Sequence, residues 1–250
     1  MGLIRSVQEL WLSTARRAAS LVLTPVLDRA LHADSKNIDR FRQRQALAES
    51  AAFVDEHMTS VRSFPDGFAL MAHAMQAASV EGLVCEFGVA SGRSINYIAK
   101  LAPQEKIFGF DSFDGLPEDW QGVMPRGTFK RSELPEVPDN VQLVRGLFTE
   151  TLAGFLQEHA EPVKLLHVDC DLYSSTKTIF EQVEPRLQPG SVIVFDEYFN
   201  YAGWRQHEYK AFEELVERTG WSFEYLGYCR YGSQVAVRLG SKDGSRTVRA

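Results

Sequence analysis

Two apolar runs in this chain end in acids. One is His167-Val168-Asp169-Cys170-Asp171-Leu172-Tyr173; the other is Val192-Ile193-Val194-Phe195-Asp196-Glu197-Tyr198. Each reads as a strand with carboxylates at its carboxyl end, where ligands gather in an open α/β sheet. If the two strands are parallel neighbours, Asp169, Asp196 and Glu197 converge on one small volume. Like charges at close range raise one another's pKa, and a hard divalent cation with oxygen ligands relieves that repulsion. The spacing therefore predicts a metal held by Asp169, Asp196 and Glu197. Asp171 reads as a cap for the helix that begins near Ser174. His167 lies two residues before Asp169, on the same side of the strand, and reads as a packed, hydrogen-bonded histidine.

A second constellation lies upstream. Glu86-Phe87-Gly88-Val89-Ala90-Ser91-Gly92-Arg93-Ser94 follows a strand-like run and opens a helix-like one. Gly88 and Gly92 permit a tight turn and close approach to a ligand, and the helix start offers free N–H groups. The spacing is not the G-x-G-x-x-G of a pyrophosphate cradle, so a smaller polar group fits better. Glu86 is placed to pair with a cation, such as the amino group of a methionine moiety. Asp111 ends the next strand about 20 residues on, where an acid takes ribose hydroxyls. The plainer alternative is an ordinary strand–helix turn with Asp111 as its cap.

These residues need a frame. Strand-like runs at 83–89, 106–111, 141–145, 164–169 and 191–196 alternate with helix-like runs at 93–101, 149–159, 174–187 and 206–218. Such alternation predicts a parallel sheet with helices on both faces. Runs at 223–229 and 234–239 follow without a helix between them, and Gly232-Ser233 supplies a turn, so an antiparallel hairpin should close the sheet. The expectation is an α/β, Rossmann-like sheet of seven strands, mostly parallel, with N-terminal helices. Residues 112–139 hold many prolines and glycines and read as a lid over the site. The polar segment 241–250 reads as a mobile tail.

Bulk properties bound the function. The chain has 250 residues, 44% hydrophobic and 24% charged, which is ordinary for a globular protein of one large domain. A net charge of −6 argues against a nucleic-acid scaffold. Three scattered cysteines without a C-x-x-C pair fit reduced core thiols and a cytoplasmic setting. No apolar run is long enough to span a membrane. The segment 3–27, with Trp11, Leu12, Leu21, Val22 and Leu23 interrupted by Glu9, Arg16 and Arg17, is not a signal peptide. It reads as a helix that packs on the domain or a partner subunit; weak peripheral contact with a membrane surface is the alternative.

Four stretches carry a family resemblance. Glu86-Phe-Gly-Val-x-x-Gly, the run from Phe110-Asp111 to Leu116-Pro117, Gly146-Leu-Phe-Thr-Glu-Thr151 and Asp169-Cys-Asp-Leu-Tyr-Ser-Ser-Thr176 resemble the macrocin O-methyltransferase family, which includes macrolide-sugar and novobiocin-sugar O-methyltransferases. The resemblance implies a class I fold, S-adenosylmethionine as donor, and Mg²⁺ held by Asp169, Asp196 and Glu197. The chain departs from the family in two places: the second acid pair is Asp-Glu rather than Asp-Asp, and Ala90-Ser91-Gly92 stands where the family has Trp-Arg-Gly-Gly. It therefore sits on a divergent branch.

On this reading the donor site comprises Glu86, Gly88, Val89, Gly92, Ser94, Asp111, Ser112, Gly146, Phe148 and Asp169. The acceptor is a hydroxyl of a sugar, glycan or small natural product. Asp169 is both metal ligand and general base, with His207 as an alternative base. Sugars stack on aromatic rings, so Trp120, Tyr198, Tyr201 and Trp204 are acceptor contacts. Residues 64–240 form the methyltransferase domain, and residues 1–63 form a helical arm that covers the site or joins a homo-oligomer. The competing readings are a metal-independent methyltransferase, a nicotinamide-dependent oxidoreductase and a non-catalytic donor-binding module.

Overall fold

A computed structural model of the chain describes residues 34–122, 124–242 and 248–249, with positions 25, 29 and 32. Apart from position 25, the expected helix over 3–27 lies outside the described residues, as do 243–247 and 250 of the expected tail. Residues 1–45 and 46–250 form two compact units. In the first, Asp34 accepts hydrogen bonds from Arg40 and Arg44, which hold its carboxyl below the usual range. Helix α1 covers Ile38–His57.

The second unit is built on one sheet. Strands β2 (Leu83–Phe87), β3 (Ile107–Asp111), β4 (Val141–Arg145), β5 (Val163–Val168) and β6 (Val192–Phe195) are parallel. Strands β7 (Trp221–Cys229) and β8 (Val235–Lys242) form the expected antiparallel hairpin, with β8 against β6. Among the described residues the sheet has nine strands rather than seven. The additions are the two-residue strands β1 (Ser63–Phe64) and β9 (Val248–Arg249), both parallel to β7. Two-residue strands carry no readable alternation, so the sequence pattern misses them. Residues 241–242 continue β8, and 248–249 pair with β7.

The order is β1-β7-β8-β6-β5-β2-β3-β4. Chain direction across the sheet reverses between β2 and β5, which opens a crevice at their carboxyl ends. Helices α2 (Gly67–Ala77) and α3 (Arg93–Leu101) cover one face, packing Leu70, Met71, Ile95 and Ile98 on Val84, Ile107, Leu165 and Val194. Helices α4 (Phe148–Glu158), α5 (Tyr173–Val183) and α6 (Glu208–Thr219) cover the other, packing Phe155, Phe180 and Phe212 with Phe87, Phe108, Ile193 and Phe195.

Strand parity then places the polar residues. Side chains alternate along a strand, so Glu86 lies on the α2/α3 face with Val84, and His167 with Leu165. In register, Glu86 is opposite His167, and His167 is opposite Val194. Asp169 and Asp196 continue the same parity just beyond β5 and β6. Four polar side chains from three adjacent strands therefore meet on one face of the crevice.

Candidate active site

A cavity of about 540 Å³ lies at the carboxyl ends of β2 to β6. It is lined by Gly88, Ala90 and Ser91, by Asp111 and Ser112, by Gly146, Leu147 and Phe148, and by Asp169, Asp171, Asp196 and Glu197. A second cavity of about 370 Å³ on the α2/α3 side is lined by Asp66, Phe68, Arg93, Ser94, His167 and Gln234. Ala90, Ser91, Asp169 and Asp196 line both.

The glycine loop is fixed by Asp111. Its Oδ2 accepts the N–H groups of Val89 (2.9 Å) and Ala90 (2.7 Å), and its Oδ1 accepts that of Phe113 (2.6 Å). Asp111 caps the turn, as the plainer alternative expects, and it also lines the cavity. The Val89 side chain is buried in the α2/α3 core, so its part in the loop is its backbone N–H. Gly88 has φ of 99° and lies against the next strand end, where an added Cβ would stand 1.7 Å from the Asp169 carbonyl oxygen. Gly92, also at positive φ, forms the N-cap of α3. Ser112 Oγ accepts from Asp114 N at 3.1 Å, and Gly146 N donates to the Asp111 carbonyl at 3.0 Å. Phe148 meets the cavity and packs edge-on to Phe87 at 5.4 Å.

Beneath the loop lies a buried polar group. Glu86 is fully buried; its Oε1 accepts from Ser94 Oγ at 2.5 Å, and its Oε2 has no partner. His167 Nδ1 stands 3.9 Å from Glu86 Oε1. Burial works to lower the His167 pKa, but Glu86 and the charge of Asp196 outweigh it and hold the imidazole above its ordinary value. Glu86, His167 and Asp169 offer ligand atoms within 4.8 Å of one another. Among the described residues this is the group that meets that spacing, whereas Asp169, Asp196 and Glu197 share the wall of the larger cavity.

The acids press on one another electrostatically. Burial, then Asp196, Glu86 and Asp171, push the Asp169 carboxyl well above the usual range. Burial and the charges of Asp196 and Asp171 raise Glu197 to about 8, and burial with Asp196 raises Asp171 to about 6. Asp196 Oδ1 accepts from Gln234 Nε2 at 3.0 Å. The raised carboxyls of Asp169, Asp171 and Glu197 on one oxygen-rich wall fit a hard cation, which would return them to the charged form.

Asp171 does not cap α5. The N-cap is Leu172, with no side-chain cap bond, and Asp171 turns into the cavity with φ of 61°. A non-glycine residue in this left-handed region is strained, and here the strain places a third carboxyl beside Asp169 and Glu197. Glu208, the first residue of α6, is a further acid that the sequence pattern did not mark. It is fully buried, its Oε2 accepts the Glu197 N–H at 2.9 Å, and burial with the charge of Glu197 holds its carboxyl well above the usual range.

The aromatic candidates divide into two groups. Tyr198 and Trp204 are core residues and line neither cavity. Tyr198 Oη pairs with Tyr225 Oη at 2.9 Å, and Trp204 packs on Phe53 and Tyr209 at ring distances of 5.6 and 4.9 Å. Their acceptor role is therefore corrected: burial against α1 and β7 leaves no face for a ligand. Trp120 and Tyr201 stand at 6.0 Å, and His207 lies 6.2 Å from Trp120 and 5.9 Å from Tyr201. This trio sits behind Glu197, whose carbonyl accepts from Tyr201 Oη at 3.0 Å. None of the three lines either cavity, and burial lowers the pKa of His207.

The expected lid is a structured loop. Trp120 and Met124 exchange backbone hydrogen bonds, Leu116 N donates to Thr128 O, and Gly127 N donates to Leu116 O. Ser174 Oγ donates to Glu118 Oε1 at 2.6 Å, and the loop lends Leu116, Pro117, Phe129 and Arg131 to the cavity wall.

Strand order, glycine loop and crevice define a class: the chain has the class I methyltransferase fold. Residues 85–198 match a family model described as a methyltransferase domain. A curated relative is the 8-demethyl-8-(2,3-dimethoxy-alpha-L-rhamnosyl)-tetracenomycin-C 4'-O-methyltransferase of Streptomyces olivaceus. It is 28% identical over 148 residues, 49% of this chain and 55% of that protein, so the match spans about half the relative's length. Among solved structures, the calicheamicin methyltransferase CalS11 aligns with a TM-score of 0.56 at 22% identity, over 82% of this chain and 95% of that one. The O-methyltransferase NovP aligns with a TM-score of 0.53 at 18% identity, over 70% and 79%. These two likenesses are of fold. Over the parts of the chain that match, the similarity is to a methyltransferase domain and to one sugar O-methyltransferase. Among the described residues, no helix is long and apolar enough to cross a membrane.

Proposed function

We propose that this chain transfers the methyl group of S-adenosylmethionine to a hydroxyl of a sugar or other small-molecule acceptor, assisted by Mg²⁺. The observation that carries the reading is the position of Asp169, which faces both cavities between the glycine loop and the acids of β6. Residues 64–240 carry the chemistry in this reading.

The donor supplies an activated methyl group, so the protein's work is binding and alignment. Gly88 and Gly92 let the loop approach the donor closely. Asp111 and Ser112 take the ribose hydroxyls, Gly146 and Phe148 border the base, and Glu86 with Ser94 serves the amino-acid end. Asp169, Asp196 and Glu197 would hold Mg²⁺, which when bound supplies a Lewis acid beside the acceptor oxygen. Asp169 accepts the hydroxyl proton. Asp171, on the same wall, orients the acceptor. Trp120 and Tyr201 stand behind Glu197, outside both cavities, and would meet only an acceptor that extends past the larger one. His207, with a lowered pKa and outside both cavities, is a packing residue rather than the base.

Calorimetric titration of the full chain with S-adenosylhomocysteine, first with Mg²⁺ and then with chelator, tests the reading. Saturable binding supports the donor assignment, and a following screen of sugar hydroxyl acceptors tests the transfer. Absence of binding in both conditions would remove it. Transfer that survives chelation would keep the methyltransferase and discard the metal.

A further inference from the structure

The strand end that carries Asp196 and Glu197 is held in an unusual way. Asp196 N donates to the Val168 carbonyl at 2.9 Å, which extends the β5–β6 ladder by one residue, and Tyr198 N donates to the Ser233 carbonyl at 3.1 Å. Between them, the Glu197 backbone groups go to side chains. Its N–H is accepted by Glu208 Oε2 at 2.9 Å, and its carbonyl accepts from Tyr201 Oη at 3.0 Å. The direction of the Glu197 side chain therefore depends on side chains reaching in from outside the sheet, whereas Asp196 is held by the ladder and by Gln234.

Glu208 is an unusual choice for that contact. It is completely buried on the first turn of α6, and its Oε1 has no partner. Burying an unpartnered polar atom costs about 1–3 kcal/mol, and an acid is the most expensive group to place beside other acids. A fold that needed only to satisfy one N–H had cheaper options. The neighbouring carboxyls of Glu197, Asp196 and Asp171 all act on it, so it belongs to the cluster electrostatically as well as by contact.

We propose that Glu208 is a positioning residue of the acid cluster: by holding the Glu197 peptide N–H it sets where the Glu197 carboxylate stands, beside Asp196, for a divalent cation. The inference rests on the metal reading given above. Groups that orient metal ligands without touching the ion typically change affinity about 10- to 100-fold when removed.

The test is Mn²⁺ binding to the full chain by calorimetry, for wild type, Glu208→Met and Glu208→Gln, with S-adenosylhomocysteine affinity and thermal melting measured alongside. Methionine keeps the length but removes the acceptor; glutamine keeps an acceptor carbonyl. Glu208→Met should weaken Mn²⁺ binding by about tenfold or more with donor affinity unchanged, and Glu208→Gln should restore it. A Met variant that binds Mn²⁺ as wild type does, or a Gln variant that fails as the Met variant does, overturns the proposal. Should Glu208→Met not fold, Glu208→Asp, one methylene short of the Glu197 N–H, takes its place against Glu208→Gln with the same expectations. Wild-type protein that binds S-adenosylhomocysteine but no Mn²⁺ overturns the metal reading and this inference together, and leaves the donor assignment standing.

Discussion

Gly88→Ala is the sharpest probe of the crevice. The added Cβ would stand 1.7 Å from the Asp169 carbonyl oxygen and 2.7 Å from its carbon, well inside the 3.0 Å that real Cβ atoms keep. Both obstacles are backbone, so no side chain can swing away. Two penalties follow. Holding an L-residue at φ of 99° costs about 1–2 kcal/mol, and forcing a methyl into packed backbone costs about 1–3 kcal/mol more. Together they predict a loss of about 2–5 kcal/mol, or a melting temperature lower by about 4–20 °C for a chain of this size. The strain falls where Gly88 meets Asp169, so S-adenosylhomocysteine affinity should fall by about tenfold or more. Gly154→Ala is the control: it lies in α4 with nothing within 4 Å of the new Cβ, and should stabilise the protein by about 0.5–1 kcal/mol. Thermal melts and calorimetry on the three proteins decide the matter. A Gly88→Ala protein that melts with the wild type and binds the donor equally well would refute the placement of β2 under the β5 end.

Asp169→Asn should lower turnover by about 100-fold or more while S-adenosylhomocysteine binding persists; single-turnover kinetics that match wild type would remove Asp169 as the base. Tyr198→Phe should lower stability by about 1 kcal/mol through loss of the Tyr225 contact and leave the acceptor KM alone, whereas Trp120→Ala should raise that KM without changing donor affinity. The reverse pattern in steady-state kinetics would return Tyr198 to the acceptor site. Chelated protein should lose stability as pH rises from about 4 to about 8. Asp171 and Glu197 keep their protons to about 6 and about 8 when folded and release them near the ordinary carboxyl values of 3.8 and 4.5 when unfolded, so unfolding releases protons across that window. The raised His167 adds to the slope and the lowered His207 opposes it. Mg²⁺ should flatten it, and melting curves that are level or rising without Mg²⁺ would contradict the raised carboxyls.

The sheet was legible because its central strands are apolar runs buried on both faces, and the hairpin because two strand-like runs, the first with alternating burial, flank Gly232-Ser233. The convergence of Asp169 and Asp196 was legible because both acids directly follow such runs. What failed to show has identifiable causes. Residues 198–207 form an irregular stretch with no period to say which aromatics point inward, so Tyr198 and Trp204 looked like Tyr201. Asp171 precedes a helix, where a cap is the common reading, and only its left-handed backbone turns it into the cavity. Glu208 sits at a helix start, where an acid ordinarily meets solvent and the helix dipole. Its burial is a tertiary fact with no local mark. Glu86 was visible, but its pairing with His167 depends on the β2–β5 register, which no local pattern encodes.

Asp169 and Asp196 belong to the walls of two cavities at once. Two ligands that meet a common carboxylate wall cannot bind independently, since each alters the field and the protonation that the other encounters. By linkage, whatever factor the occupant of one cavity imposes on the affinity of the other must be returned in full. A cationic group in the smaller cavity would favour the ionised acids and so draw a cation or hydroxyl into the larger one. Ligands that touch this shared wall should therefore report on one another in an equilibrium measurement.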